Sequence, residues 1–275
     1  MSAAPFGRRL AEKTAERGVL CAGIDPHPGL LDAWGLERSV SGLEIFALSA
    51  AEVLAREVAV IKPQSAFFEA YGAPGIAVLE KVIETSQDAG ALVLLDVKRG
   101  DIGSTMGAYT AAYLTGDTAL AADAVTASPY LGFGSLHAAI ETAREHGRGV
   151  VVLARTSNPE AAELQNALLR NGKTVAQSIV DQVAAVNAGA DPLGDVGVVV
   201  GATVTPGELD LGSLNGPVLA PGFGAQGATV SDLRKLFGAE LRGVLPASSR
   251  DVLKHGPDPA ALRDAVRRTQ AMINE

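Results

Sequence analysis

The sequence predicts an α/β protein built as a (β/α)8 barrel. Three observations carry that expectation: eight short apolar runs, helical patterns between them, and a polar residue at the end of nearly every run. Unbroken Val, Leu and Ile, without polar alternation, marks strands covered on both faces, as in a parallel sheet. Eight such strands alternating with helices suit a chain of 275 residues, since TIM-type barrels of about 250 residues commonly form one domain. A single domain over residues 1–275 is expected. A doubly wound open sheet is the alternative.

The elements follow in order. The start, MSAAPFGRRLAEKTAERG, reads as an amphipathic helix. It has no apolar stretch before a small-residue cleavage site, so a signal peptide is not expected. The first strand is VLCAGID (19–25), followed by the longer segment PHPGLLDAWGLERS (26–39) and the helix VSGLEIFALSAAEVLARE. VAVIKP (58–63) is the second strand and PGIAVLEKVIETSQDAG the next helix. ALVLLDVK (91–98) is the third, with a helix beginning near Ser104, and ADAVTAS (122–128) is the fourth. SLHAAIETAREHG then ends in glycine, as a helix C-terminus should. The fifth strand, GVVVLART (149–156), leads into a polar segment, SNPEAAELQNALLRNGKT (157–174), and the helix TVAQSIVDQVAAVNAG. VGVVVGAT (196–203), PVLAPG (217–222) and GVLPAS (243–248) complete the set. A helix is expected from near Thr229 or Ser231, and a last one in PDPAALRDAVRRTQAMINE, with Asp258 as N-cap and Pro259 just inside.

Composition excludes several classes. A net charge of −8, 4% aromatics and no basic tract argue against nucleic-acid binding. No apolar run reaches 18 residues, so no transmembrane helix and no membrane partner are expected. Cys21, the lone cysteine, lies in the apolar run VLCAGI and reads as a buried core residue. A reducing, cytoplasmic location follows. The four histidines have no metal-ligand spacing, and no nucleophile elbow appears. No metal and no cofactor are therefore expected.

The charges are more informative. Asp96 and Lys98 lie two residues apart at the end of the third strand, so they project to the same face with Cα atoms ~6.5–7 Å apart. The first strand ends in Asp25, the second in Lys62, the fifth in Arg155-Thr156-Ser157 and the eighth in Ser248-Ser249-Arg250. Each has an ordinary reading. Asp96 and Lys98 could form a rim ion pair, Lys62 could snorkel to solvent, Asp101 could cap the next helix, and Asp25 could serve the turn at Pro26. Taken together they converge on one barrel mouth, where the active sites of such barrels lie. The glycine-rich loop APGFGAQGAT (220–229) and Arg250 follow strands seven and eight, where barrels commonly bind a phosphate.

Lys62 with Asp96-x-Lys98-x-x-Asp101-Ile102, the loop APGFGAQG and RTSNP after the fifth strand resemble orotidine 5′-phosphate decarboxylases of the longer bacterial subgroup. The resemblance covers essentially the whole chain. It implies cofactor-free decarboxylation of orotidine 5′-monophosphate to UMP, the last step of pyrimidine nucleotide synthesis. It implies a homodimer in which Asp101, with Ile102 and Thr105, reaches the partner's site and completes a Lys62–Asp96–Lys98–Asp101 network. Lys98 would protonate C6, Asp25 would bind ribose hydroxyls, and Ser157 or Thr156 the pyrimidine. Gln226 and Arg250 would hold the phosphate, and Leu153 and Pro221 would line an apolar pocket near the carboxylate. The Ser-Ser-Arg end of strand eight departs from the family's common Gly-Arg. The rivals are a Mg²⁺-dependent phosphosugar decarboxylase or aldolase, a Schiff-base aldolase, and a nucleotide-binding barrel without activity.

Overall fold

In the computed structural model, residues 4–224, 227–238 and 241–275 are described. Eight strands form at the eight predicted runs, β3 reaching one residue past its run: β1 Cys21–Ile24, β2 Val60–Pro63, β3 Leu92–Arg99, β4 Ala124–Ala127, β5 Gly149–Arg155, β6 Val196–Val200, β7 Val218–Pro221 and β8 Val244–Ser248. Each is parallel to its neighbour, and β8 returns to β1 through Cys21↔Ala247 and Ala22↔Ser248, which closes the barrel.

Closure gives every strand an inside and an outside. Outward residues such as Ala22, Ile24, Ile61, Val93 and Leu95 pack beneath the helices in one large apolar cluster. Inward residues form a second cluster that includes Cys21, Val60, Leu92, Leu94, Ala124, Val151, Val199, Leu219 and Leu245. Because side chains alternate along a strand, continuing two residues at a time leads from core to chemistry. Cys21 is followed by Gly23 and Asp25, Val60 by Lys62 and Gln64, Leu92 by Leu94 and Asp96. Burial pushes the Cys21 thiol up to about 12, so it stays a protonated core residue.

The helix Phe6–Arg17 closes the N-terminal end. Its Phe6 and Leu10 join the inward cluster. A Cβ on Gly149, the first residue of β5, would stand 2.3 Å from the Phe6 ring, so only glycine admits that ring. The Asp195 carboxylate accepts from Gly7 N at 2.8 Å, and Arg9 donates to Asp123 at 2.5 Å.

The surrounding helices form where expected, and several of their starts carry side-chain caps. Ser39 caps Val40–Leu54 and Thr174 caps Val175–Val186. Thr229 and Asp232 form a reciprocal capping box at the head of Val230–Phe237. Asp258 caps Pro259–Asn274. The cap considered for Asp101 does not form. The helix Gly103–Tyr113 takes Ile102 at its N-cap position, and the Asp101 carboxylate instead accepts from Ile102 N at 2.8 Å. The polar segment 157–174 contains a short helix, Ala161–Gln165, and a bridge between Leu168 and Thr174. Among the described residues, no helix is long and apolar enough to cross a membrane.

Candidate active site

The inward residues at the C-terminal strand ends surround a cavity of about 350 Å³. Asp25, Lys62, Asp96, Lys98, Leu153, Ser157, Pro221 and Arg250 all line it, as does Thr156.

At its centre is Asp96, 7% exposed, held from three strands. Its Oδ1 accepts from Lys98 Nζ at 2.6 Å and from the Thr126 hydroxyl at 2.7 Å. Its Oδ2 accepts from Lys62 Nζ at 3.4 Å, and Asp25 Oδ1 lies 3.6 Å from the same ammonium. Burial opposes charge on both Lys62 and Asp96, but the pairing overrules it. The Asp25 and Asp96 carboxylates raise the Lys62 pKa above the usual lysine range. The two ammonium groups and the hydrogen bonds from Lys98 and Thr126 hold Asp96 below the usual aspartate range. The centre is thus a set of fixed opposite charges within a low-dielectric wall, suited to stabilising charge that develops in a reaction.

The backbone is special at the same point. Lys98 has φ 47°, a left-handed conformation that a side chain with a Cβ seldom adopts. Two side chains absent from the sequence expectation brace this region. Thr126 accepts from Lys98 N at 2.9 Å, and Gln64 Nε2 donates to the Asp96 carbonyl at 3.3 Å. Threonine is a common strand residue, and Gln64 falls just past the apolar run; only their inward position marks them.

The rim after β7 is shaped by glycine. Gly222 and Gly224 have φ 102° and 76°, and a Cβ on Gly224 would stand 2.4 Å from the Asp251 carboxylate. Ser249, in the Ser-Ser-Arg end of the eighth strand, also lines the cavity. Its hydroxyl and Asp25 Oδ1 are buried without a hydrogen-bond partner among the described residues. Among those residues, no group of three or more His, Cys, Asp or Glu side chains is arranged to hold a metal ion.

The family model for orotidine 5′-phosphate decarboxylase / HUMPS proteins matches residues 19–265. The chain belongs to this family. It is 58% identical to the orotidine 5′-phosphate decarboxylase of Salinispora arenicola over 266 residues, covering 97% of this chain and 96% of that protein. It is 55% identical to the Streptomyces coelicolor enzyme of the same name, over 96% and 95% of the two chains. Among solved structures, a Streptomyces avermitilis chain superposes with a TM-score of 0.97 at 54% identity, covering 100% of this chain and 96% of that one. The OMP decarboxylase of Leishmania donovani superposes with a TM-score of 0.76 at 29% identity, covering 98% of each.

Not every residue expected at a decarboxylase site meets here. Asp101, Ile102 and Thr105 do not line the cavity of their own chain, and Ile102 is 63% exposed at the rim. Gln226 lies outside the described residues.

The charge pairing predicts a pH-dependent stability. Asp96 has a depressed folded pKa, so its contribution is present above the unfolded value of about 3.9 and is lost as pH falls. Lys62 has a raised one, so its contribution is present below about 10.4 and is lost as pH rises further. The stability difference between wild type and Asp96→Ala should therefore be flat from about pH 5 to 9 and shrink below about pH 4. Urea unfolding across pH 3–9 checks this; a difference that stays constant into acid would show that Asp96 is not bound as its anion.

Proposed function

We propose that the chain decarboxylates orotidine 5′-monophosphate to UMP, without metal or organic cofactor, as the last step of pyrimidine nucleotide synthesis. The observation that carries the proposal is the buried Lys62–Asp96–Lys98 cluster lining the mouth of a barrel that belongs to this family. In the reaction, the bond between C6 and the carboxylate breaks, CO2 departs, and the electron pair remains on C6. Lys98 stabilises that charge and passes its Nζ proton to C6. The resulting amine regains a proton from solvent. Asp96 and its hydrogen bonds hold the ammonium in register before the substrate arrives, so little reorganisation is needed when charge develops.

The rest of the cavity fits the nucleotide. Asp25, whose buried Oδ1 accepts no hydrogen bond among the described residues, takes ribose hydroxyls. Thr156 or Ser157 meets the pyrimidine edge, and Leu153 and Pro221 offer apolar surface to the departing CO2. Arg250 and the glycine loop after β7, with Gln226, receive the phosphate. Phosphate binding far from C6 helps drive closure over the substrate and assemble the site. The substrate points to action in the cytoplasm. A phosphosugar lyase using Mg²⁺ needs a carboxylate where Lys62 stands, which disfavours that reading.

The working unit is a homodimer in which Asp101 enters the partner's cavity with Ile102 and Thr105. The 63% exposure of Ile102, an apolar side chain four residues after Lys98, supports this arrangement. Mixing inactive Lys98→Ala and Asp101→Ala subunits should then restore about one competent site per heterodimer. Silence after exchange has been demonstrated by mass spectrometry would reject sharing.

The deciding assay follows loss of orotidine monophosphate absorbance with and without EDTA, with UMP identified as product. Rapid conversion unaffected by the chelator supports the proposal. No conversion, or conversion abolished by EDTA, rejects it.

A further inference from the structure

Strands β3 and β4 fall out of step at the site. Leu95 pairs with Val125, and the next pair is Arg99 with Ala127. Asp96, Val97 and Lys98 therefore stand opposite Thr126 alone, and the ordinary ladder cannot serve all three. A side chain fills the gap. Thr126 is fully buried, and its single hydroxyl works in both directions: it accepts from Lys98 N at 2.9 Å and donates to Asp96 Oδ1 at 2.7 Å. These contacts meet where Lys98 takes its positive φ of 47°. A strained backbone of this kind persists only where its surroundings hold it.

We propose that Thr126 is a positioning residue for the decarboxylation, setting both the Asp96 carboxylate and the backbone from which Lys98 reaches the reacting carbon. The inference rests on the functional reading above. Thr126 touches no reacting atom; it acts through Asp96 and Lys98. A hydroxyl can hold them both because it is donor and acceptor at once. Valine, its isostere, offers neither and would leave Lys98 N without this acceptor and Asp96 with one donor fewer.

The test compares Thr126→Val with Thr126→Ser in the full-length enzyme. The valine variant should lose at least about tenfold in kcat with KM for orotidine monophosphate changed less than about threefold, since misplacement affects the chemical step more than binding. Serine should restore kcat to within about threefold of wild type. The acid limb of the kcat–pH profile should move to higher pH in the valine variant, because Asp96 loses a hydrogen bond to its charged form. A valine variant with wild-type kcat overturns the inference. So does a serine variant that falls as far as valine, or a kcat loss without movement of the acid limb. Should valine fail to fold, Thr126→Ala is read by the same criteria; failure of both makes the hydroxyl a folding requirement only and also overturns it. Lack of turnover by the wild type strikes the functional reading itself, which keeps the two failures apart.

Discussion

Lys98→Ala should lose at least about 10⁴-fold in kcat and keep its fold. A placed proton donor contributes about 10²–10⁴-fold, and a fixed charge facing a developing carbanion about another 10²–10³-fold. The substitution removes both at once. The fold should survive because the Lys98 side chain is 45% exposed and Asp96 keeps Lys62 and Thr126 as partners. Steady-state kinetics with a thermal melt checks the pair of outcomes. Turnover within tenfold of wild type would remove Lys98 from the reaction, and a collapsed melt would make it a structural residue first.

Asp96→Ala should damage both stability and rate. Among the described residues it leaves Lys62, 6% exposed, with only Asp25 at 3.6 Å as an ion-pair partner. Breaking a buried ion pair from one side typically costs about 3–5 kcal/mol, because the remaining charge stays buried and poorly paired. In a chain of this size that corresponds to a fall in Tm of roughly 5–9 °C. Turnover should drop by at least about 10²-fold, since Lys98 loses the carboxylate that orients it. A rise in Tm with loss of activity would carry a different lesson: the charge cluster would be strained in the folded enzyme and retained for its chemistry.

The barrel was legible in the sequence because strands buried on both faces have little freedom in composition. Runs such as VAVIKP and GVVVLART can hardly be anything else between helices. Lys62, Asp96 and Lys98 were legible for a related reason: a charged residue at an inward position is costly unless the protein uses or pairs it. Asp96 and Lys98 are neighbours as alternation predicts, yet the path between them is a bulge with left-handed Lys98, which no alternation rule contains. Thr126 escaped notice because its residue type is ordinary in strands; only the missing ladder partner gives it meaning. Among the described residues, Asp101, Ile102 and Thr105 do not line the cavity of their own chain. On the dimeric arrangement proposed above, their significance depends on a second subunit.

The step of two residues that leads from Cys21 to Asp25, and from Val60 to Lys62, has an implication for how such a chain can change in length. Insertion of one residue at Val60 would exchange Lys62 with a neighbour that faces the helices, turning an ammonium into the outer core and an isoleucine into the mouth. Deletion would turn Lys62 outward as well and bring Pro63 to the mouth. Length variation among descendants of this sequence is therefore confined to the connections, where a segment such as 157–174 can grow or shrink without disturbing the phase. Every strand is a short sentence whose last word keeps its sense only if the letters before it are neither added nor removed singly.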